Sequence, residues 1–259
     1  MAKGREEERE PVEVSSGGTH PEKRAAEMSR REARAHRILD AAATLILRWG
    51  YQKTTLDDVS RQAGVAKATI YLHWKTREDL FAALIRREKL ALAEDLKQSL
   101  ANDPEGATLR GLFKHSALVL MQRPLLKAVL LRDMDVLGKL ASSERSSAAH
   151  EERLLGFKTY LELLREHGLV RSDLDLRAQV YILSAVFTGF FLVAPLMPEE
   201  FMLPDEELAE LLAETVHRTL EPAHGFPRDD VQMASRAFTR YMDRSMASAR
   251  EQFQQEMEP

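Results

Sequence analysis

Two short apolar stripes separated by a single glycine constrain this chain more than any other feature. They lie in residues 54–80, TTLDDVSRQAGVAKATIYLHWKTREDL. Leu56, Val59 and Ala63 recur at helical spacing. Thr55 stands where a hydroxyl can accept from the orphan N–H groups of a first turn. Asp57 and Asp58 follow at the positive end of the helix dipole. Gly64 is the expected stop, because glycine enters the left-handed conformation without steric cost. A second helix is expected over Ala66–His73, with Val65, Thr69 or Ile70, and Leu72 facing inward. Lys67, Ala68, Tyr71 and His73 are then left outside.

Helix, tight glycine turn, helix is the form of a helix-turn-helix. The outward residues of the second helix include no acid, and small residues among them let a helix enter a major groove about 12 Å wide. Hydroxyls and Lys67 suit phosphate oxygens and base edges. The competing reading is a plain helical hairpin on the surface of an all-helical protein. Charge favours DNA. The whole chain has a net charge of −4. Residues 30–78 nevertheless carry ten bases, including Arg30, Arg31, Arg34, Arg37, Lys67 and Arg77, against five acids. A basic head on an acidic body is the asymmetry expected where one part meets DNA and the other does not.

Residues 1–28 are polar, hold Pro11 and Pro21, and are expected to be a disordered tail. No apolar signal-peptide core is present there. Ile38, Leu39, Ala42, Leu45, Ile46 and Trp49 form a stripe that predicts a helix over Ser29–Trp49, ended by Gly50, with Trp49 and Tyr51 in the core.

Residues 30–80 resemble the DNA-binding domain of the TetR family of transcriptional repressors. The resemblance rests on Ile38-Leu39-xx-Ala42, Gly50-Tyr51, Thr54-Thr55, Ala63-Gly64-Val65, Thr69-Ile70-Tyr71, His73-Trp74 and Asp79-Leu80. It implies an all-α fold with four parts: the tail (1–28), a three-helix helix-turn-helix DNA-binding domain (29–75), a helical ligand-binding and dimerisation domain (76–222) and an additional C-terminal helix (223–259). It further implies base contacts from Lys67, Ala68 and Thr69, and phosphate contacts from Thr55, Tyr71, His73 and Arg77. Arg77 stands where the family usually has a phosphate-gripping Lys, and its guanidinium can perform the same task.

Beyond Thr76 the chain reads as helices, broken at Asn102-Asp103-Pro104, Gly168, Pro198–Pro204 and Pro222–Pro227. From Ala178 to Pro198 there is no charged residue. That length is enough to span a bilayer. Gly189, Pro195, Gln179, Ser184 and Thr188 interrupt the run. The resemblance implies instead that the last two body helices pair with their copies in a second subunit. The expected interface is Ser184, Phe187, Gly189, Phe191, Leu208, Leu212 and Val216. A membrane-associated protein using residues 178–198 is the alternative.

No catalytic constellation, phosphate-cradling loop or metal-ligand spacing is present, and there are no cysteines. An enzyme, a cofactor and a metal are therefore not expected, and a cytoplasmic location is. The resemblance implies a body cavity for an unidentified small molecule. Its expected lining is Phe113, His115, Met121, Leu130, Met134, Phe157, Tyr160 and Phe187, which suits a hydrophobic effector. The expected protein is a homodimeric, ligand-released repressor on a double-stranded DNA operator. An activator or a ligand-independent regulator fits the same residues.

Overall fold

Helix α1 (His20–Trp49) begins before the expected Ser29. The computed structural model describes residues 20–131, 148–223 and 226–257. The stretch expected to be a disordered tail is thus helical from His20 onward, and residues 1–19 lie outside the described residues. The early start follows from composition. Pro21 is tolerated in a first turn, and Glu, Lys, Arg, Ala and Met after it are strong helix formers that need no burial.

Helix α2 (Leu56–Ala63) packs against α1, and α3 (Lys67–Tyr71) packs against α2. Ile38, Leu39, Ala42, Leu45 and Ile46 of α1 close over Leu56, Val59, Ile70 and Trp74. Two expected inward residues are outside: Trp49 is 42% exposed and Leu72 is 68% exposed. Leu72 is out because α3 stops at Tyr71. The chain then turns so that the N–H groups of His73 and Trp74 both donate to the Ile70 carbonyl, and Trp74 fills the core position. Trp49 occupies the last position of α1, where the stripe runs past the end of its partner helices, and Arg48 lies 5.8 Å over its ring.

Helix α4 (Arg77–Ala101) leaves this head and enters the body. It starts on a capping box: the Thr76 hydroxyl accepts from the Asp79 N–H at 3.0 Å, and the Asp79 carboxylate accepts from the Thr76 N–H at 3.0 Å. Leu80, Phe81, Leu84 and Ile85 are buried at its head end, and Leu96 and Leu100 at its body end.

The body is built from α5 (Leu109–Met121), α6 (Pro124–Leu131), α7 (Ala148–Glu166), α8 (Leu176–Val193) and α9 (Asp205–Leu220). A long last helix, α10 (Arg228–Met257), lies along α4 and α7. Among the described residues there is no strand. Gly168 ends the α7 segment with φ +69, a conformation that suits glycine. Helix α9 packs against α5 through Ala209, Leu212, Ala213 and Val216. Charge pairs flank that seam, with Arg110 and Lys114 of α5 facing Glu210 and Glu214 of α9. Glu221 is buried beside them and accepts from the Arg110 N–H at 3.0 Å.

This packing corrects part of the expected interface between subunits. Leu212 and Val216 are wholly buried against α5 of the same chain, and Phe191 is buried beside Phe187. The amphipathic stripe of α9 therefore already has its partner. Phe187, Gly189 and Leu208 are half-buried, and Ser184 is exposed. Phe81 sits at the junction of head and body, fully buried and edge-on to Tyr51 at 4.9 Å. Phe81→Ala is expected to lower unfolding stability by about 3–5 kcal/mol, read as a drop in the urea midpoint.

Candidate nucleic-acid interface

The site begins with the turn that fixes α3. Thr55 caps α2 in a capping box: its hydroxyl accepts from the Asp58 N–H at 3.2 Å, and Asp58 accepts from the Thr55 N–H at 3.2 Å. The hydroxyl bond and the cap hold the Asp58 carboxyl below its usual range, with Arg61 adding to the effect. Gly64 takes φ +65, and the Val65 N–H donates to the Ser60 carbonyl at 3.0 Å. The turn thereby sets α3 across α2. Ile70 is anchored in the core, and Lys67, Ala68 and Tyr71 are exposed. Thr69 is half-buried at the edge of the same surface.

Of the seven residues expected at DNA, the structure brings Lys67, Ala68, Thr69 and Tyr71 onto one helical turn. Thr55 is exposed at the start of α2, its hydroxyl engaged in the cap. The Lys67 ammonium lies 2.8 Å from Asp57, and that bond raises its pKa. DNA must displace this exposed pair to recruit the cation. Exposed pairs contribute little in water, so the competition is mild.

Arg77 is placed otherwise than expected for a plain phosphate clamp. Its guanidinium donates to the Thr54 carbonyl at 3.2 Å and stacks 4.1 Å over the Tyr51 ring. The Tyr51 hydroxyl in turn donates to Glu78 at 2.9 Å. Arg77 thus ties the start of α4 to the loop before α2. His73 also departs from expectation. Its ring is half-buried, 5.2 Å from the Trp74 ring. Burial, and then the charges of Arg31 and Arg34, push its pKa down to about 4. A neutral imidazole has no charge to offer a phosphate. Arg31, read from the sequence only as one of the bases of the head, reaches from α1 to the Leu72 carbonyl at 3.1 Å and braces the end of α3.

The expected effector residues are spread differently. Phe113 meets Phe187 edge-on at 5.7 Å and Phe157 at 6.5 Å, an aromatic cluster packed on itself. His115 is not in that cluster, because its Nε2 pairs with Asp103 at 2.8 Å in the loop before α5. Met121 and Leu130 are half-buried against the core. Met134 lies outside the described residues. Tyr160 is buried, with its hydroxyl donating to the Ala107 carbonyl, and it lines a cleft of about 370 Å³ between α7 and α10. Among the described residues, no group of three or more His, Cys, Asp or Glu is placed to hold a metal ion.

Residues 38–84, which hold α2, α3 and the start of α4, match the family of bacterial regulatory proteins of the tetR type. This head is therefore a DNA-binding domain of the TetR type. It is 25% identical over 195 residues to the HTH-type transcriptional regulator AcrR of Shigella flexneri, covering 71% of this chain and 87% of that protein. It is 34% identical over 76 residues to the fatty acid metabolism regulator protein of Bacillus subtilis (strain 168). That match spans 27% of this chain and 39% of its relative. In three dimensions the chain is similar to NalD, the secondary repressor of the MexAB-OprM multidrug efflux pump in Pseudomonas aeruginosa. The TM-score is 0.56 at 21% identity, covering 75% of this chain and 98% of that one, which establishes the shared fold. The TetR-family chain is a DNA-binding transcriptional regulator.

The low pKa of His73 has a signed consequence. The folded state resists protonation at a pH where the unfolded chain, with an ordinary histidine near 6.5, accepts it. The stability of this TetR-family head therefore falls as pH drops from about 6.5 to about 4. His73→Gln is expected to flatten that part of the stability profile, measured by urea unfolding at stepped pH.

Proposed function

We propose that this TetR-family regulator acts as a homodimeric repressor, released from a double-stranded DNA operator when a small molecule binds its body. One observation carries the dimer. Helix α8 is long and apolar, yet only 17% of its apolar window is buried within one chain. Tyr181, Ser184, Ala185 and Leu192 lie exposed on one face of it, and Tyr181 is 77% exposed. Leu211 of α9 is exposed as well. Monomeric proteins rarely leave an apolar strip of that extent in water. A second copy laid on the same strip covers it by twofold symmetry, with Ser184 and Ala185 allowing close approach. Two α3 helices then meet two half-sites, one turn or about 34–36 Å apart when the heads are closely spaced.

Release follows from α4. Because it is packed into both head and body, a ligand that favours a tilted α4 shifts the separation of the two recognition helices. The shift is limited by the ligand's preference for that state. NalD is named a repressor, and that supports repression here. The location that fits an operator-binding protein is the cytoplasm. The apolar length of α8 also fits a membrane span, and cell fractionation separates the two readings.

Fluorescence anisotropy with duplex DNA from upstream of the protein's own gene, beside a scrambled duplex, tests operator binding. Sequence-selective binding is expected to weaken with salt and to be lost with Tyr71→Ala. Lys67→Ala, which removes one cation from each half-site of the dimer, is expected to lower the slope of log affinity against log salt by about 2. Equal, weak binding to both duplexes at every salt concentration would count against the reading. For the dimer, sedimentation of the native chain is expected to give twice the 29.4 kDa chain mass. Ser184→Arg is expected to shift it to the monomer and abolish operator binding.

A further inference from the structure

The cleft between α7 and α10 belongs neither to the DNA-binding head nor to the exposed face of α8. Leu155 and Leu163 of α7 and Ala237 and Tyr241 of α10 form its apolar walls. Its depth depends on Gly156. A Cβ at that position would stand 2.1 Å from the Tyr241 ring, so the ring lies directly against the α7 helix. Phe238 holds the arrangement from below, edge-on to Tyr160 at 5.2 Å and to Tyr241 at 6.0 Å. At about 370 Å³ the cleft falls within the range of about 300–1,000 Å³ usual for small-molecule sites.

Two cations stand over this apolar trough. Arg240 and Arg244 are one helical turn apart, both exposed, and both line the cleft. Among the described residues neither forms an ion pair or hydrogen bond. Two charges on the side of α10 that faces α4 are paired instead: Asp243 with Lys97 and Arg250 with Glu94, each at 2.5 Å. Unmatched guanidinium groups beside an apolar groove complement one kind of ligand, an alkyl chain ending in an anion. The chain fills the trough, and the planar forks close on a carboxylate. A cationic amphiphile would be repelled, and a neutral one would leave both forks without a partner.

We infer that the cleft between α7 and α10 is a binding site for an alkyl carboxylate, gripped by Arg240 and Arg244. The inference rests on the ligand-responsive reading above and gives it a ligand class and a place. The site is also connected to the DNA head. Besides its two ion pairs to α4, α10 reaches α1, where Phe253 lies 6.0 Å from the His36 ring. A ligand that pushes α10 away from α7 therefore loads contacts on both α4 and α1.

Calorimetric titration of the full chain with decanoate tests this, with 1-decanol and decyltrimethylammonium as neutral and cationic controls. Decanoate is expected to bind saturably, one per chain, and more tightly than either control. The double substitution Arg240→Gln/Arg244→Gln is expected to weaken decanoate binding by roughly tenfold or more, while leaving 1-decanol binding and the urea midpoint unchanged. Decanoate is further expected to weaken operator binding by the native chain and to leave that of the double variant unaffected. No saturable binding of decanoate, equal binding by the double variant, or equally tight binding of decyltrimethylammonium would overturn the site. If operator binding survives such a result, the regulator reading stands without it. If decanoate binds as expected but no duplex is recognised, the site stands and the repressor reading falls.

Discussion

The structure depends on one helix being fixed in two places at once. Helix α4 contributes Leu80, Phe81 and Leu84 to the core of the head, and Leu96 and Leu100 to that of the body. Its 25 residues extend for about 38 Å. A helix of that length is stiff, so a small change of angle at the body end becomes a displacement of the head. The junction where it starts is correspondingly tied. Arg77 stacks on Tyr51 and bonds to Thr54, Tyr51 bonds to Glu78, and Phe81 packs against the same ring. Arg87 adds a second tie lower down, bonding to the His36 carbonyl and to Asp40 of α1. The head is therefore tied to α4 at two levels.

The charges of the head divide into those that brace it and those that face outward. Arg31, Arg77 and Arg87 hold one element to another through backbone carbonyls. Lys67 rests on Asp57 at the surface, a bond weak enough in water to be exchanged for a phosphate or a base edge. His73 is kept neutral by burial and by its arginine neighbours. Uncharged and packed on Trp74, it supports the end of α3. A basic count taken from the sequence overstates the charge available to DNA for this reason.

The local signals of the sequence proved the most legible. Thr55 and Thr76 both open helices with capping boxes, Gly64 and Gly168 both adopt the left-handed conformation, and Asp205–Leu220 is helical as its stripe requires. What could not be read was which of several apolar partners a stripe would choose. Leu212 and Val216 had the right period for an interface between subunits, but α5 of the same chain covers them. Leu72 and Trp49 had the right period for the core, but each stands at a helix end, where the stripe outruns its neighbours. The α7–α10 cleft left no pattern at all. Gly156 and Tyr241 are 85 positions apart, and only the packing of the two helices shows why a glycine is needed there.

In the proposed dimer, the uncovered strip on α8 would also tie the stability of the fold to abundance. A surface sealed only by a second copy adds to the folding free energy an amount that grows with the logarithm of protein concentration. A regulator covered in this way weakens as it is diluted. For the proposed dimer, low copy number would mean separated chains that expose Tyr181 and Leu192 to proteases and to unwanted contacts. On that proposal the same strip would set a lower limit on how scarce the protein can become before its numbers, rather than its affinity, decide whether a promoter is occupied.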